Sequence, residues 1–352
     1  MRLLRLAFLP LSVVILGAAA TTVPLPLYVE EPGTPVSLAD CVTVDSPRAG
    51  QVMGDYLLTT VDLLEATVVD VIRGAADAQI DVVERSAVIP AEISSSDFFD
   101  QQEDLFAATA DVAAAVGQRA AGLETDIRGD GVLVVGTVAG TPAAGLLAEG
   151  DVITAVDAAR VRTDVDLRQA IEERGVGEAI TVAFLRERMR QRVQITPQRY
   201  EGRPVIGVQP QTLNLRVDLA VPVAVASGNI GGPSAGLMIA MTVYDKIDTD
   251  VDLAAGRRIA GTGTIDTQGS VGQIGGIRQK VVAADRGGAH LFLAPAEQLD
   301  EARSVQLDGE MQVVGVDDFD SAVDALRRTA AESESGAGSA VESSGCPYEA
   351  AA

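Results

Sequence analysis

The chain has 352 residues, 47% of them hydrophobic, and carries 50 Asp and Glu against 27 Lys and Arg, for a net charge of −23. This length accommodates two or three cored domains, and the apolar fraction argues against wholesale disorder. The negative field opposes docking on phosphate backbones, so no nucleic-acid partner is expected.

The scarcity of particular residues excludes further classes. The chain holds only two lysines, Lys246 and Lys280, and one histidine, His290. A Walker A loop needs Gly-Lys followed by Ser or Thr, but these lysines follow Asp245 and Gln279, so no P-loop for ATP is encoded. A Ser-x-x-Lys acyl-enzyme motif would need serine where Val243 and Ile277 stand. One histidine and two cysteines at opposite ends do not make a metal-ligand cluster, and no cofactor is expected.

In chain order, residues 1–29 open with Arg2 and Arg5 and then run without charge from Leu6 to Val29. Leu6 to Val23 is about the minimum length for a bilayer span, and the charge distribution places the remainder of the chain outside the cytoplasm. The reading is a single-pass signal anchor in the cell membrane. The alternative is a signal peptide removed near Ala18-Ala19-Ala20, leaving a secreted protein. In an exported chain Cys41 and Cys346 are expected to pair.

Residues 30–118 read as a mixed α/β lead-in. A strand is expected over Tyr56 to Val61, and helices over Val61 to Ile72 and Gln101 to Val116, the second capped from Ser94-Ser95-Ser96-Asp97. Asp62, Glu65 and Asp70 read as a solvated helix face.

Residues 119–200 predict strands over Gly131–Val138, Gly150–Val156, Ala179–Arg186 and Gln191–Thr196. A helix capped by Thr163-Asp164 carries Leu167, Ala170 and Ile171 on one face. With "GTPAAGLLAEGDVITAVDAARV" inside it, this stretch resembles a PDZ domain of the bacterial protease type. The resemblance implies a peptide-binding groove beside the capped helix, with a carboxylate-binding loop near Ala121-Gly122-Leu123-Glu124. Gly122, Leu123, Leu167 and Ile171 are the groove residues expected, and a PDZ-like spacer without ligand is the other reading.

Residues 201–330 alternate strands and helices, which indicates an α/β domain. Strand-like Leu219 to Ala226 leads into Gly228-Asn229-Ile230-Gly231-Gly232-Pro233-Ser234-Ala235-Gly236-Leu237 and a helix-like run. A serine at such a junction can act as a nucleophile, with N–H groups of Gly232, Ser234 and Ala235 forming an oxyanion site. Two activators compete on the residues alone. One is Lys280, a neutral base if buried; the other is His290 with an aspartate such as Asp266, as in a Ser-His-Asp α/β-hydrolase elbow. Lys246, beside Asp245 and Asp248, reads as solvent-exposed. Residues 331–352, rich in Ser, Glu, Gly and Ala, read as a disordered tail.

"GGPSAGL", "IAGTGTID", "GSVGQIGGIRQK" and "AADRGGAHLFLAP", in this order, resemble the proteolytic domain of the Lon family. The whole chain resembles the bacterial membrane-anchored PDZ–Lon-like proteases, without an AAA+ module. The resemblance implies a Ser–Lys dyad at Ser234 and Lys280, Thr262 orienting the lysine, polypeptide substrates, no ATP and a hexameric ring. The fold class expected is multidomain α/β (α+β), with a signal-anchor helix, a β-rich PDZ-like domain and a Lon-type domain. A catalytically silent PDZ adaptor with an oligomeric core is the rival from another class.

Overall fold

The computed structural model describes residues 18, 20–47, 49–90, 93–200, 202–226, 228–248, 252–333 and 346–348, with side chains described to 330 and again from 346. The apolar run expected to anchor the chain therefore lies almost wholly outside the described residues, as does most of the tail. Among the described residues no helix is long and apolar enough to cross a membrane. The chain divides into two compact units, one formed by 1–123 with 221–352 and the other by 124–220.

The first unit is built on a five-stranded sheet in the order Val36–Ser37, Asp55–Leu58, Arg258–Gly261, Leu291–Pro295, Gln312–Val316. The last four are parallel and the first is antiparallel to its neighbour. Ile259, Ala260, Phe292 and Leu293 are fully buried, as expected of parallel strands covered on both faces. The segment read as a lead-in thus contributes two strands to the sheet that carries the 258–316 strands.

Helix Gly236–Ile247 is buried around its whole circumference from Gly236 to Asp245, and its first six residues are all apolar or glycine, as suits a surrounded position. Helix Ser95–Ala120 packs on it so closely that a Cβ at Gly117 would come within 2.5 Å of the Ala240 carbonyl oxygen. On another side Met238 Sδ leaves no room for a side chain at Gly261 in the sheet. Tyr244, near its C-terminus, meets Phe319 edge to face.

Two elements differ from the sequence expectation. Val61–Glu65 is a strand, paired antiparallel with Leu27–Pro32, and the helix begins only at Val68. Thr67 breaks the run: its N–H and hydroxyl both donate to Asp70 Oδ2, which seeds the helix there and turns Asp70 into a cap. The long helix starts at Ser95, six residues ahead of the expected Gln101, after Ser94, whose hydroxyl accepts from Asp97 N–H at 3.1 Å.

In the second unit the strands run in the order Met189–Ile195, Ile180–Arg186, Val152–Val156, Val132–Thr137, Val208–Thr212, all antiparallel, with Ala159–Arg160 added to Val152–Val156. Val208–Thr212 completes the sheet and Arg216–Asp218 pairs with Asp126–Arg128, so this unit continues beyond residue 200 to Ala220. Helix Asp164–Arg174 begins at a reciprocal Thr163–Asp166 cap and closes the core with Leu167, Ala170 and Ile171.

Candidate active site

Strand Val223–Val225 leads through the glycine turn into a short 3-10 turn, Pro233–Ala235, that runs directly into helix Gly236–Ile247. Gly232 has φ +86°, a conformation side chains disfavour, and Gly236 faces Ile265 N at a distance that excludes a Cβ. The serine is held by its backbone. Its carbonyl accepts from Gly263 N at 3.0 Å and from Thr262 Oγ1 at 3.1 Å, while Leu237 N donates to Gly263 O at 3.1 Å.

Lys280 sits one turn into helix Ile277–Arg286, which starts after Gly276 at φ +66° and is fixed by Ile277, Val281 and Ala284 in a core cluster with Phe292. The lysine is 4% exposed. Its Nζ lies 2.6 Å from Ser234 Oγ and 3.2 Å from Thr262 Oγ1. Burial disfavours the ammonium and pushes its pKa down to about 8, and its side-chain partners among the described residues are these two hydroxyls, with no carboxylate. Thr262, wholly buried, is fixed by its own N–H to Leu293 O at 3.0 Å. Its hydroxyl hydrogen goes to the Ser234 carbonyl, leaving a lone pair toward the amine. Serine, threonine and lysine thus come from three segments that meet at the C-terminal end of the central strand, Arg258–Gly261.

Other expected site residues fall elsewhere. The Gly232 N–H donates to the Gln102 carbonyl at 2.7 Å and is already used, which removes it from the expected oxyanion group and leaves Ser234 and Ala235. His290 is exposed and its Nδ1 accepts from Arg258 N at 3.2 Å. Asp266 accepts from Gln268 N and Ser270 N within its own turn, so the Ser-His-Asp arrangement is not assembled around Ser234. Lys246 is half-buried, with its pKa lowered by that burial, because its helix is surrounded.

The groove residues also need correction. Leu167 and Ile171 are 2% and 6% exposed and belong to the core of the second unit, so they do not line an open groove. Gly122 and Leu123 end the long helix and fall in the first unit. The geometry offers a different groove strand: Val208–Thr212 is an edge strand alongside helix Asp164–Arg174, reached through Gly207 at φ +84°. Cys41 and Cys346 form a disulfide. It brings Tyr348 onto the glycine turn, its ring where a side chain at Gly228 would stand. Gln102 and Tyr348 carry no sequence signal for these positions, since one acts through a backbone carbonyl and the other through a distant crosslink.

Comparison with known proteins bears on both units. Residues 169–327 match the family model of the Lon protease (S16) C-terminal proteolytic domain, and residues 114–196 match that of the PDZ domain. The chain combines a Lon-type proteolytic domain with a PDZ domain. The two matches overlap over 169–196, and the structure assigns that stretch to the PDZ unit, whose sheet it helps to form. Among relatives, the Lon protease of Mycolicibacterium smegmatis is 32% identical over 107 residues, covering 29% of this chain and 13% of that one. Lon protease 1 of Herpetosiphon aurantiacus is 34% identical over 122 residues, 33% of this chain and 14% of its own. The chain thus spans a small fraction of the length of these relatives. A solved PDZ domain of the SdrC-like protein from Listeria monocytogenes is 25% identical, with TM-score 0.22, over 23% of this chain and 87% of that one.

Proposed function

We propose that the chain is an ATP-independent serine endopeptidase that cleaves unfolded or flexible polypeptides outside the cytoplasm through a Ser234–Lys280 dyad. The observation that carries this reading is the 2.6 Å contact between a buried, carboxylate-free amine and the hydroxyl of a serine at a helix start. In its neutral form Lys280 takes the Ser234 proton as Oγ bonds to the scissile carbonyl carbon. The oxyanion that forms faces the N–H groups at Ser234 and Ala235. Lys280 then returns the proton to the departing amine, the C–N bond breaks, and an acyl-serine ester remains. Water, deprotonated by the same amine, hydrolyses that ester and restores both groups. Thr262 keeps the amine aimed by accepting from Nζ and by bonding the serine carbonyl.

The PDZ unit supports delivery of extended peptides, through strand addition at the open Val208–Thr212 edge. Anchoring through the apolar N-terminal run and assembly into a ring complete the reading. Purified full chain with casein and no nucleotide tests it: Ser234→Ala and Lys280→Ala should each lose at least about a thousandfold in rate. Full activity in either variant sinks the dyad, a requirement for ATP sinks nucleotide independence, and an inert wild type favours a binding protein. A reporter fused after residue 333 reads out on which side of the membrane the domain lies.

A further inference from the structure

The outer face of the PDZ sheet carries a row of residues in register across four strands: Arg192, Ala183, Ala155 and Arg160. Successive members are adjacent pairs, so two arginines stand at the ends of an alanine floor about 14 Å long, three strand spacings. Two residues along from each lies a further arginine, Arg190 beyond Arg192 and Arg162 beyond Arg160. All four are exposed, and together with the alanines they border a cavity of about 610 Å³. The carboxylate at its rim, Asp130, is already engaged by Arg216 at 2.7 Å and Asn214 at 3.0 Å. Asp126, beside an adjoining cavity, and Asp218 are both held by Arg128. No side-chain ion pair is formed by Arg160, Arg162, Arg190 or Arg192 among the described residues.

Four unpaired guanidiniums on one concave face stand out in a chain of net charge −23. The alanine floor matters as much as the charge, because larger side chains there would fill the space over which the guanidiniums converge. On an extended segment, side chains four residues apart lie on one face about 13 to 14 Å from each other, the length of the alanine floor.

We infer that this face binds acidic polypeptide segments in extended form, laid across the strands over the alanine floor, with carboxylates at alternate positions and the first and third of them, about 14 Å apart, meeting the arginines at its two ends. An acidic segment is repelled by most of the remaining surface, so the arginine face selects where it lands. Guanidinium forks favour carboxylates bidentately. The site lies on the sheet, apart from the Val208–Thr212 edge proposed above.

Fluorescence anisotropy with the full chain tests this, in the Ser234→Ala form so that no peptide is consumed. The probes are a labelled peptide with glutamate at alternate positions and its glutamine counterpart. The acidic peptide should bind at least about tenfold tighter at low salt, with the preference shrinking as salt rises. The pairs Arg190→Gln with Arg192→Gln, and Arg160→Gln with Arg162→Gln, should each remove most of that preference, while Arg168→Gln on the helix leaves it intact. Equal affinity for both peptides, or indifference to all four substitutions in a chain with unchanged circular dichroism, overturns the inference. It is also overturned if phosphatidylglycerol vesicles or inorganic phosphate bind through these arginines while the acidic peptide does not. Because binding is read without turnover, its failure is distinct from failure of the peptidase reading.

Discussion

Replacing Lys280 by methionine should abolish peptidase activity and, at neutral pH, make the protein more stable. The amine's pKa is pushed from the ordinary lysine range down to about 8 by burial. At pH 6 the folded protein therefore carries an ammonium it would hold more favourably when unfolded. The shift of somewhat more than two units corresponds to roughly 3 kcal/mol of lost stability. The sign comes from proton counts: between pH 8 and the unfolded pKa the unfolded state binds more protons, so wild-type stability rises with pH across that window and the penalty fades. Methionine matches the lysine stem in length and carries no charge, so Lys280→Met should gain up to roughly 3 kcal/mol at pH 6 and about 1 to 2 kcal/mol less at pH 9. Urea unfolding of the two proteins at both pH values measures the difference, and other titrating groups cancel in the comparison. A methionine variant that is less stable at pH 6, or a gain that does not change between pH 6 and 9, would refute the buried-amine argument.

Three further outcomes rest on the same structure. Because the proposed base, Lys280, has to be neutral to accept a proton, kcat/KM should rise about fivefold from pH 7 to pH 8 and level off near 9, in stopped assays of a fluorogenic peptide; a flat profile argues against an amine base. Thr262→Val should lower kcat by about ten- to a hundredfold with little change in KM and move that pH limb, and Thr262→Ser should recover most of the rate, since a hydroxyl is what meets Nζ at 3.2 Å. Asp245 is pushed up to about 6 by burial, although Tyr56 donates to it at 2.8 Å. Its protonated form stabilises the fold, so the contribution of this group should fall by roughly 2 kcal/mol as pH rises from about 4 to 6, and the stability difference between wild type and Asp245→Asn should narrow or reverse by that amount in urea unfolding at the two pH values.

The parts of this architecture legible in the sequence are those written within one turn of chain. A glycine-rich stretch followed by an apolar run gives a serine at a helix start, and a buried lysine after Gly275-Gly276 needs only its own helix. The PDZ strands alternate clearly because one face is buried and the other wet, as in Ile180, Val182 and Phe184. What stayed hidden depends on distant partners. Asp55–Leu58 enters the sheet beside Arg258–Gly261, about 200 positions later, and no local periodicity announces a parallel neighbour. Val61–Ile72 satisfies helical spacing, yet strand pairing with Leu27–Pro32 prevails over its first half. The groove assignment to Leu167 and Ile171 failed because an apolar helix face looks the same in sequence whether it lines a cleft or plugs a core. Likewise, the loss of the Gly232 N–H to Gln102 is a backbone event that side-chain identity does not record.

The Cys41–Cys346 bond spans 305 positions and encloses the serine, the lysine and the entire PDZ unit within one covalent ring. A single cut anywhere between those cysteines leaves the two pieces joined, so a nicked molecule stays in one piece and can keep Ser234 and Lys280 in one particle. Self-cleavage by such a molecule is invisible on a gel run without reductant and emerges as paired fragments only when the disulfide is reduced. In an oxidising compartment, therefore, its lifetime is set by a second event, the second cut or the loss of the disulfide, rather than by the first peptide bond it breaks.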